Sequence, residues 1–293
     1  MKLLTLNTHS LQEENYLQKL DFFLSVIQKE KPDLIALQEV NQSLSVPFAD
    51  AKLLQGWVPC PDAVPIRQDN HAAQAAFRLH QAGIPCSWTW ISAKIGYDIY
   101  DEGIAVLAIN QKLTEMESFF ISGCQDYKNW KTRRVLGVRT EKSDHWFYTV
   151  HMGWWEDEEE PFLAQWKRLN TRLQQKGEES VIWLMGDFNS PAEFRGQGYD
   201  CISGDGWLDT YNLAGQKDSG ITVEGCIDGW REFSQEQDRP EGMRMDVIWC
   251  NKEMPISYSK VLFNGEREPK VSDHFGVLIE TEEEIMQKMK GER

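Results

Sequence analysis

One pattern occurs twice in this chain, and it constrains the fold more than any other feature. Residues 14–30 place Leu17, Leu20, Leu24 and Ile27 at helical spacing, and the helix gives way at Lys31-Pro32. The apolar run DLIALQEV follows and ends in Glu39. Residues 161–176 repeat the arrangement. Pro161 opens a helix that buries Phe162, Trp166, Leu169 and Leu173, and VIWLMGDFN then ends in Asp187 and Asn189. Two helices therefore each lead into a buried strand with an acid at its tip. Side chains two apart on a strand point the same way, so Asp187 and Asn189 can serve one site together.

Further strands are expected at LLTLN near the start and at 103–109 (GIAVLAI), 134–140 (RVLGVRT), 146–152 (WFYTVHM), 245–251 (MDVIWCN) and 275–281 (FGVLIET). Several show no polar alternation, the pattern of sheets covered on both faces. The segment 42–100, rich in Trp, Pro, Gln and His, is expected to form loops that shape a pocket, as are the surroundings of Trp154, Trp155 and residues 190–240. His71 and His80 read as surface or packing residues of a helix within that segment. No linker or short repeat divides the chain, so residues 1–293 read as one domain of α/β or α+β class with layered sheets.

The strand ends carry the chemistry. Asn7 ends the first strand, Gln38-Glu39 the second, His151 a middle one, and Asp187 with Asn189 the next; Asp246 begins MDVIW, and Ser272-Asp273-His274 precede the last strand. Polar residues cap strands everywhere, but two of the chain's six histidines fall at these points. Carboxylates, carboxamides and imidazoles gathered in this way suit metal-assisted hydrolysis of a phosphate ester. Mg²⁺ is a hard ion that takes oxygen ligands from one or two carboxylates, and Glu39 and Asp273, with Asn7 alongside, supply that type. A histidine–carboxylate pair would position water and stabilise phosphoryl charge. Zinc is the less expected metal, because the six cysteines show no C-x-x-C spacing.

Charge narrows the partner. The net charge is −15, with EDEEE at 156–160 as the densest acidic block. A protein that grips polyphosphate backbones usually presents a basic face, so nucleic acid is not the expected partner. The N-terminus lacks the pattern of a secretory signal, no apolar window is long enough for a membrane helix, and the scattered cysteines suit a reducing cytoplasm. Twelve tryptophans, among them the close pairs Trp88/Trp90 and Trp154/Trp155, include candidate platforms for a sugar ring, although core packing is their ordinary role.

In order along the chain, "LNTH", "LQEV", "DEGIAVL", "KTRRVLGVRT", "TVHM", "GDFNS", "RMDVIW" and "VSDHFGV" resemble the endonuclease/exonuclease/phosphatase (DNase-I-like) superfamily. The resemblance implies a four-layer sandwich, two packed, mostly antiparallel β-sheets flanked by helices, with a Mg²⁺ site at the sheet edge where Mn²⁺ could substitute. It implies that Glu39 binds the metal with Asn7 beside it and Asp273 nearby. Asp187 would orient the attacking water, Asn189 would bind a phosphoryl oxygen, and His151 would donate to another. His274 would be the general acid/base, oriented by Asp246. Glu102 is read either as a partner of His151 or as a solvated loop acid, and Arg134 either as a phosphate contact or as part of a solvated cluster. In outline the chain is similar to the maltose 6'-phosphate phosphatase branch, so the expected activity is a sugar-phosphate phosphatase with no protein partner. A nuclease- or sphingomyelinase-like phosphodiesterase and an inactive phospholigand-binding protein are the alternatives.

Overall fold

A computed structural model describes residues 1–225 and 242–282. Residues 226–240 of the segment expected to shape the pocket, Cys226 among them, lie outside the described residues. Two open mixed sheets lie face to face. The first has seven strands in the order β10 (Ala214–Lys217), β14 (Ile256–Leu262), β15 (Gly276–Thr281), β1 (Lys2–Asn7), β2 (Leu34–Ser43), β4 (Tyr100–Ile109) and β3 (Cys86–Gly96). The second has six, in the order β5 (Leu113–Phe120), β6 (Arg134–Thr140), β7 (Ser143–His151), β8 (Ile182–Asp187), β13 (Asp246–Cys250) and β9 (Leu208–Asp209). β11 (Val223–Glu224) and β12 (Gly242–Met243) form a small separate ribbon. Pairing is antiparallel except at β1–β2, β7–β8 and β10–β14.

Three apolar layers hold these elements together. Leu3, Ala36, Val106, Leu136, Phe147, Trp183 and Ile248 fill the space between the sheets. Helices α1 (Tyr16–Glu30) and α2 (His71–Gln81) cover the outer face of the first sheet through Leu20, Phe23, Leu24, Ala72, Ala76 and Leu79. α3 (Phe162–Gln174) and α4 (Gly198–Gly204) cover the second through Phe162, Trp166, Leu169 and Ile202; the short α5 (Thr210–Leu213) packs beside β13 and β14. The result is the expected helix–sheet–sheet–helix sandwich. No helix among the described residues is long and apolar enough to cross a membrane.

The segment 42–100 departs from its expected loop character. It contains α2, capped at Asn70, whose side chain accepts from the Ala73 amide, and the long strand β3. Trp88 and Trp90 on β3 are completely buried, and their indole N–H groups donate to the carbonyls of Gln55 and Val40. They are core residues and not sugar platforms. Trp155 likewise turns inward, 6.0 Å from the Phe162 ring.

His71, at the start of α2, is buried among Phe23 and Tyr16, with Nδ1 3.2 Å from the Tyr16 hydroxyl. Burial pushes its imidazole down from the ordinary 6.5 to about 4. The folded state therefore favours neutral His71, and its contribution is complete above pH 6.5 and lost as pH falls from 6.5 towards 4. The expected loss is about 3 kcal/mol of folding stability over that window. Urea unfolding across the window in wild type and His71→Gln measures it, and an equally steep slope in the variant would contradict the assignment.

Candidate active site

Sheet register gathers the strand-tip residues. In the second sheet His151 on β7 stands opposite Asp187 on β8, which stands opposite Asp246 on β13, so the three form one row across three strands. In the first sheet Asn7 on β1 stands opposite Gln38 on β2, next to Glu39. His274 forms a bridge with Val223 just before β15 enters the first sheet. The pairing of β2 with β4 slips between Leu37 and Val40, and Glu39 within the slip has φ 50°. Asn189 also lies in the left-handed region, at φ 46°. Such backbone costs a non-glycine residue roughly 1–2 kcal/mol and concentrates at functional sites. Gly186 has φ 154°, and a Cβ there would collide with the Val150 carbonyl oxygen, so glycine lets β7 and β8 close up beside His151 and Asp187.

Asp187 Oδ2 is the centre of the arrangement. Asn7 Nδ2 donates to it at 3.1 Å and to Glu39 Oε1 at 2.9 Å. His151 Nε2 lies 3.6 Å from the same oxygen and 3.9 Å from Glu39 Oε1, and His274 Nε2 lies 3.8 Å from it on another side. His274 Nδ1 meets Asp246 Oδ2 at 2.9 Å. The Asn189 amide N–H donates to Asp187 Oδ1 at 2.8 Å, and its side-chain Nδ2 donates to the Met152 carbonyl at 2.9 Å. Asp273 sits nearer the rim, 28% exposed, with its amide on Glu13 Oε1 and His9 Nδ1 3.9 Å from its Oδ1.

These contacts set the charges. Burial pushes the Asp187 carboxyl up to about 6, with the nearby Asp246 adding and His274 opposing. Burial, then Glu102 and Asp273, push Glu39 up to about 7. Burial works against a charged His274, but the Asp246 and Asp187 carboxylates outweigh it and hold this imidazole well above its ordinary value. His151 moves the other way. Burial, reinforced by Arg133 and Lys94, holds it well below, as a neutral imidazole. His9 is carried up to about 9, because Glu13, Asp273 and Glu39 overcome its burial. One site thus holds a charged and a neutral imidazole against the same carboxylate.

The donor set fits a divalent cation. Three groups of ligand atoms occur among the described residues: Glu39, His151 and Asp187; Asp187, Asp246 and His274, which shares Asp187 with the first; and a separate group of His9, Glu13 and Asp273 nearer the rim. They contain oxygens and imidazole nitrogens and no thiolate, which suits a hard ion. Among the described residues no lysine or arginine pairs with Glu39, Asp187 or Asp273, and Glu39 is raised first by burial and then by repulsion from Glu102 and Asp273. A bound cation would relieve that repulsion.

The two uncertain positions resolve differently from either expectation. Glu102 lines the cavity but pairs with Lys94 at 3.0 Å, not with His151. Arg134 turns away from the cavity: its guanidinium donates to the Ser92 carbonyl and the Ser118 hydroxyl and stacks on Phe120. Its neighbour Arg133 lines the cavity instead, together with Lys94, Tyr97, Trp130 and Trp154. Sequence reasoning overlooked Arg133, Lys94, Trp130, His9 and Glu13. Only His9, inside "LNTH", carried a usable signal, as a histidine two residues beyond a strand-end asparagine.

The sequence profile described as "Endonuclease/Exonuclease/phosphatase family" matches residues 4–274. Among solved structures, an endonuclease/exonuclease/phosphatase family protein from Leptotrichia buccalis C-1013-b is similar at 32% identity and TM-score 0.80, covering 96% of this chain and 99% of that one. A mannosyl-6-phosphatase from Bacteroides thetaiotaomicron VPI-5482 shares the fold at 14% identity and TM-score 0.64, over 96% and 99% of the two chains. Truncated Caenorhabditis elegans TDP2 does so at 14% identity and TM-score 0.58, over 96% of each. No curated protein matches the chain by sequence.

Proposed function

The chain belongs to the endonuclease/exonuclease/phosphatase family, and on that footing we propose that it is a Mg²⁺-dependent phosphomonoesterase that releases phosphate from a sugar phosphate, with maltose 6'-phosphate as a candidate. The observation that carries the hydrolase reading is the convergence on Asp187 Oδ2 of the Asn7 amide and two imidazoles held in opposite charge states.

Glu39, with Asn7 and Asp273 beside it, would hold the cation, and Mn²⁺ would substitute for Mg²⁺. When bound, such an ion supplies Lewis-acid stabilisation of charge on the phosphate oxygens. The protein's own groups do the rest. Asp187 Oδ2 orients the attacking water and takes its proton. Asn189, whose backbone N–H fixes the other Asp187 oxygen, binds a phosphoryl oxygen. Neutral His151 donates to a second phosphoryl oxygen. His274, kept charged by Asp246, stabilises charge on the phosphoryl group; as the bond from phosphorus to the sugar oxygen breaks, it gives a proton to that oxygen and regains one from Asp187, which took it from water.

The acidic chain and the small cavity, about 400 Å³, favour a small phosphate monoester over a nucleic acid. The mannosyl-6-phosphatase that shares the fold agrees with this choice. Parallel assays on p-nitrophenyl phosphate and bis(p-nitrophenyl) phosphate with Mg²⁺ test the class. Turnover of the monoester by a wide margin is expected, and turnover of the diester alone would overturn the reading. Glu39→Gln is expected to raise the half-saturating Mg²⁺ concentration roughly tenfold or more. A Mg²⁺ titration identical to wild type would remove Glu39 from the ligand set.

A further inference from the structure

The cavity is lined by more than its phosphoryl-facing groups. Its remaining side chains are Lys94, Tyr97, Glu102, Trp130, Arg133 and Trp154. Trp130 is 49% exposed, yet its loop is firmly held. Its carbonyl accepts from both Lys94 Nζ and Arg133 Nη1 at 2.8 Å, and the cations that make these bonds are themselves nearly buried. Lys131 Nζ lies 5.3 Å from the Trp130 ring and reaches Asp157 at 3.0 Å, tying this loop to the one that carries Trp154. The two indoles stand 5.3 Å apart between centroids, inclined at 56°, as two facets of one wall of the cavity. An aromatic surface fixed before binding lets an apolar ring face dock without paying to order the protein.

The charges beside this wall define what it can accept. Lys94 is matched by Glu102 at 3.0 Å. Arg133 has Nε on the Met152 carbonyl and Nη1 on those of Trp130 and Thr132, so its charge is left to serve one nearby phosphoryl group. Glu39, Glu102 and Asp187 also line the cavity, and they would repel a second anionic group. The leaving group therefore has to be uncharged, with an apolar face and polar edges. A sugar ring has this form: its C–H face suits the indoles, and its hydroxyls can both donate to Glu102 and accept from Lys94.

We propose that the Trp130–Trp154 wall and the buried Lys94–Glu102 pair form the specificity subsite for an uncharged sugar ring esterified to the phosphate. This inference rests on the phosphomonoesterase reading above. The test compares kcat/KM for a disaccharide 6-phosphate with kcat/KM for glycerol 3-phosphate in wild type, Trp130→Ala and Trp130→Phe, with thermal melts to confirm folding. Trp130→Ala is expected to lower the ratio of the two values about tenfold, mainly through KM for the sugar ester. Trp130→Phe, which keeps an aromatic face, is expected to retain most of the ratio. An unchanged ratio in Trp130→Ala, whether both esters are lost equally or neither is affected, overturns the subsite. Wild-type protein that cleaves neither ester would instead overturn the phosphomonoesterase reading, and the subsite with it.

Discussion

Asp187→Asn is expected to lower kcat about 10³- to 10⁴-fold while leaving the folded structure intact. The side chain is 1% exposed and every neighbour is arranged for a carboxylate: the Asn7 Nδ2 and Asn189 N–H groups donate to it, and His274 faces it as a cation. An amide of the same size occupies the same volume, so packing is kept. It cannot take a proton from water, and its NH₂ would face the Asn7 donor or the Asn189 amide. Stopped assays for phosphate at saturating substrate measure the loss, with near-ultraviolet circular dichroism as the folding control. A variant within tenfold of wild type would mean that another group activates the water.

The second large effect lies in the His274–Asp246 pair. Asp246 is buried, its amide is held by the Thr222 hydroxyl at 3.1 Å, and its Oδ2 fixes His274 Nδ1 at 2.9 Å. That contact turns Nε2 towards Asp187 and keeps the ring charged. His274→Ala is expected to cost about 10²- to 10⁴-fold in kcat, and Asp246→Asn a similar factor, because the amide removes the charge that sustains the imidazolium. If His274 acts through Asp187, 3.8 Å away, the double variant Asp187→Asn/His274→Ala should lose far less than the product of the two single losses. Multiplicative losses in that cycle would show that the two residues act independently. The half-saturating Mg²⁺ concentration in His274→Ala should stay close to wild type, which separates this group from Glu39.

Much of this architecture is written locally in the chain. α1 and α3 are amphipathic, the strands after them are continuously apolar, and their tips carry acids, so both elements and tips are readable. What cannot be read is which strands become neighbours. The row His151–Asp187–Asp246 exists because β8 lies between β7 and β13, a strand some 60 residues away along the chain. The same limit explains the tryptophans. Trp88 and Trp90 look like a polar-flanked pair, but β3 pairs with β4 and both rings sink into the core. β3, CSWTWISAKIG, was hidden because it sits in a Pro- and Gln-rich context, and with it went Lys94. β5 and β14 carry no clear strand signal in the sequence either. β5 is a half-exposed edge strand and β14 carries the mixed sequence ISYSKVL, so neither presents a clean apolar run. Arg133 and Arg134 show how fine the margin is. Adjacent residues entering a strand face opposite sides, so a reading one position off selects the arginine that points away.

On the proposal above, these strand tips form a metal-dependent site for hydrolysing a sugar phosphate. The most direct measurement is inorganic phosphate release from a disaccharide 6-phosphate by purified protein, first with Mg²⁺, then with EDTA, then with Mg²⁺ restored. Steady release that stops on chelation and returns with Mg²⁺ is the predicted result. No release from this or any other sugar phosphate, together with Mg²⁺-dependent cleavage of DNA or sphingomyelin, would contradict it.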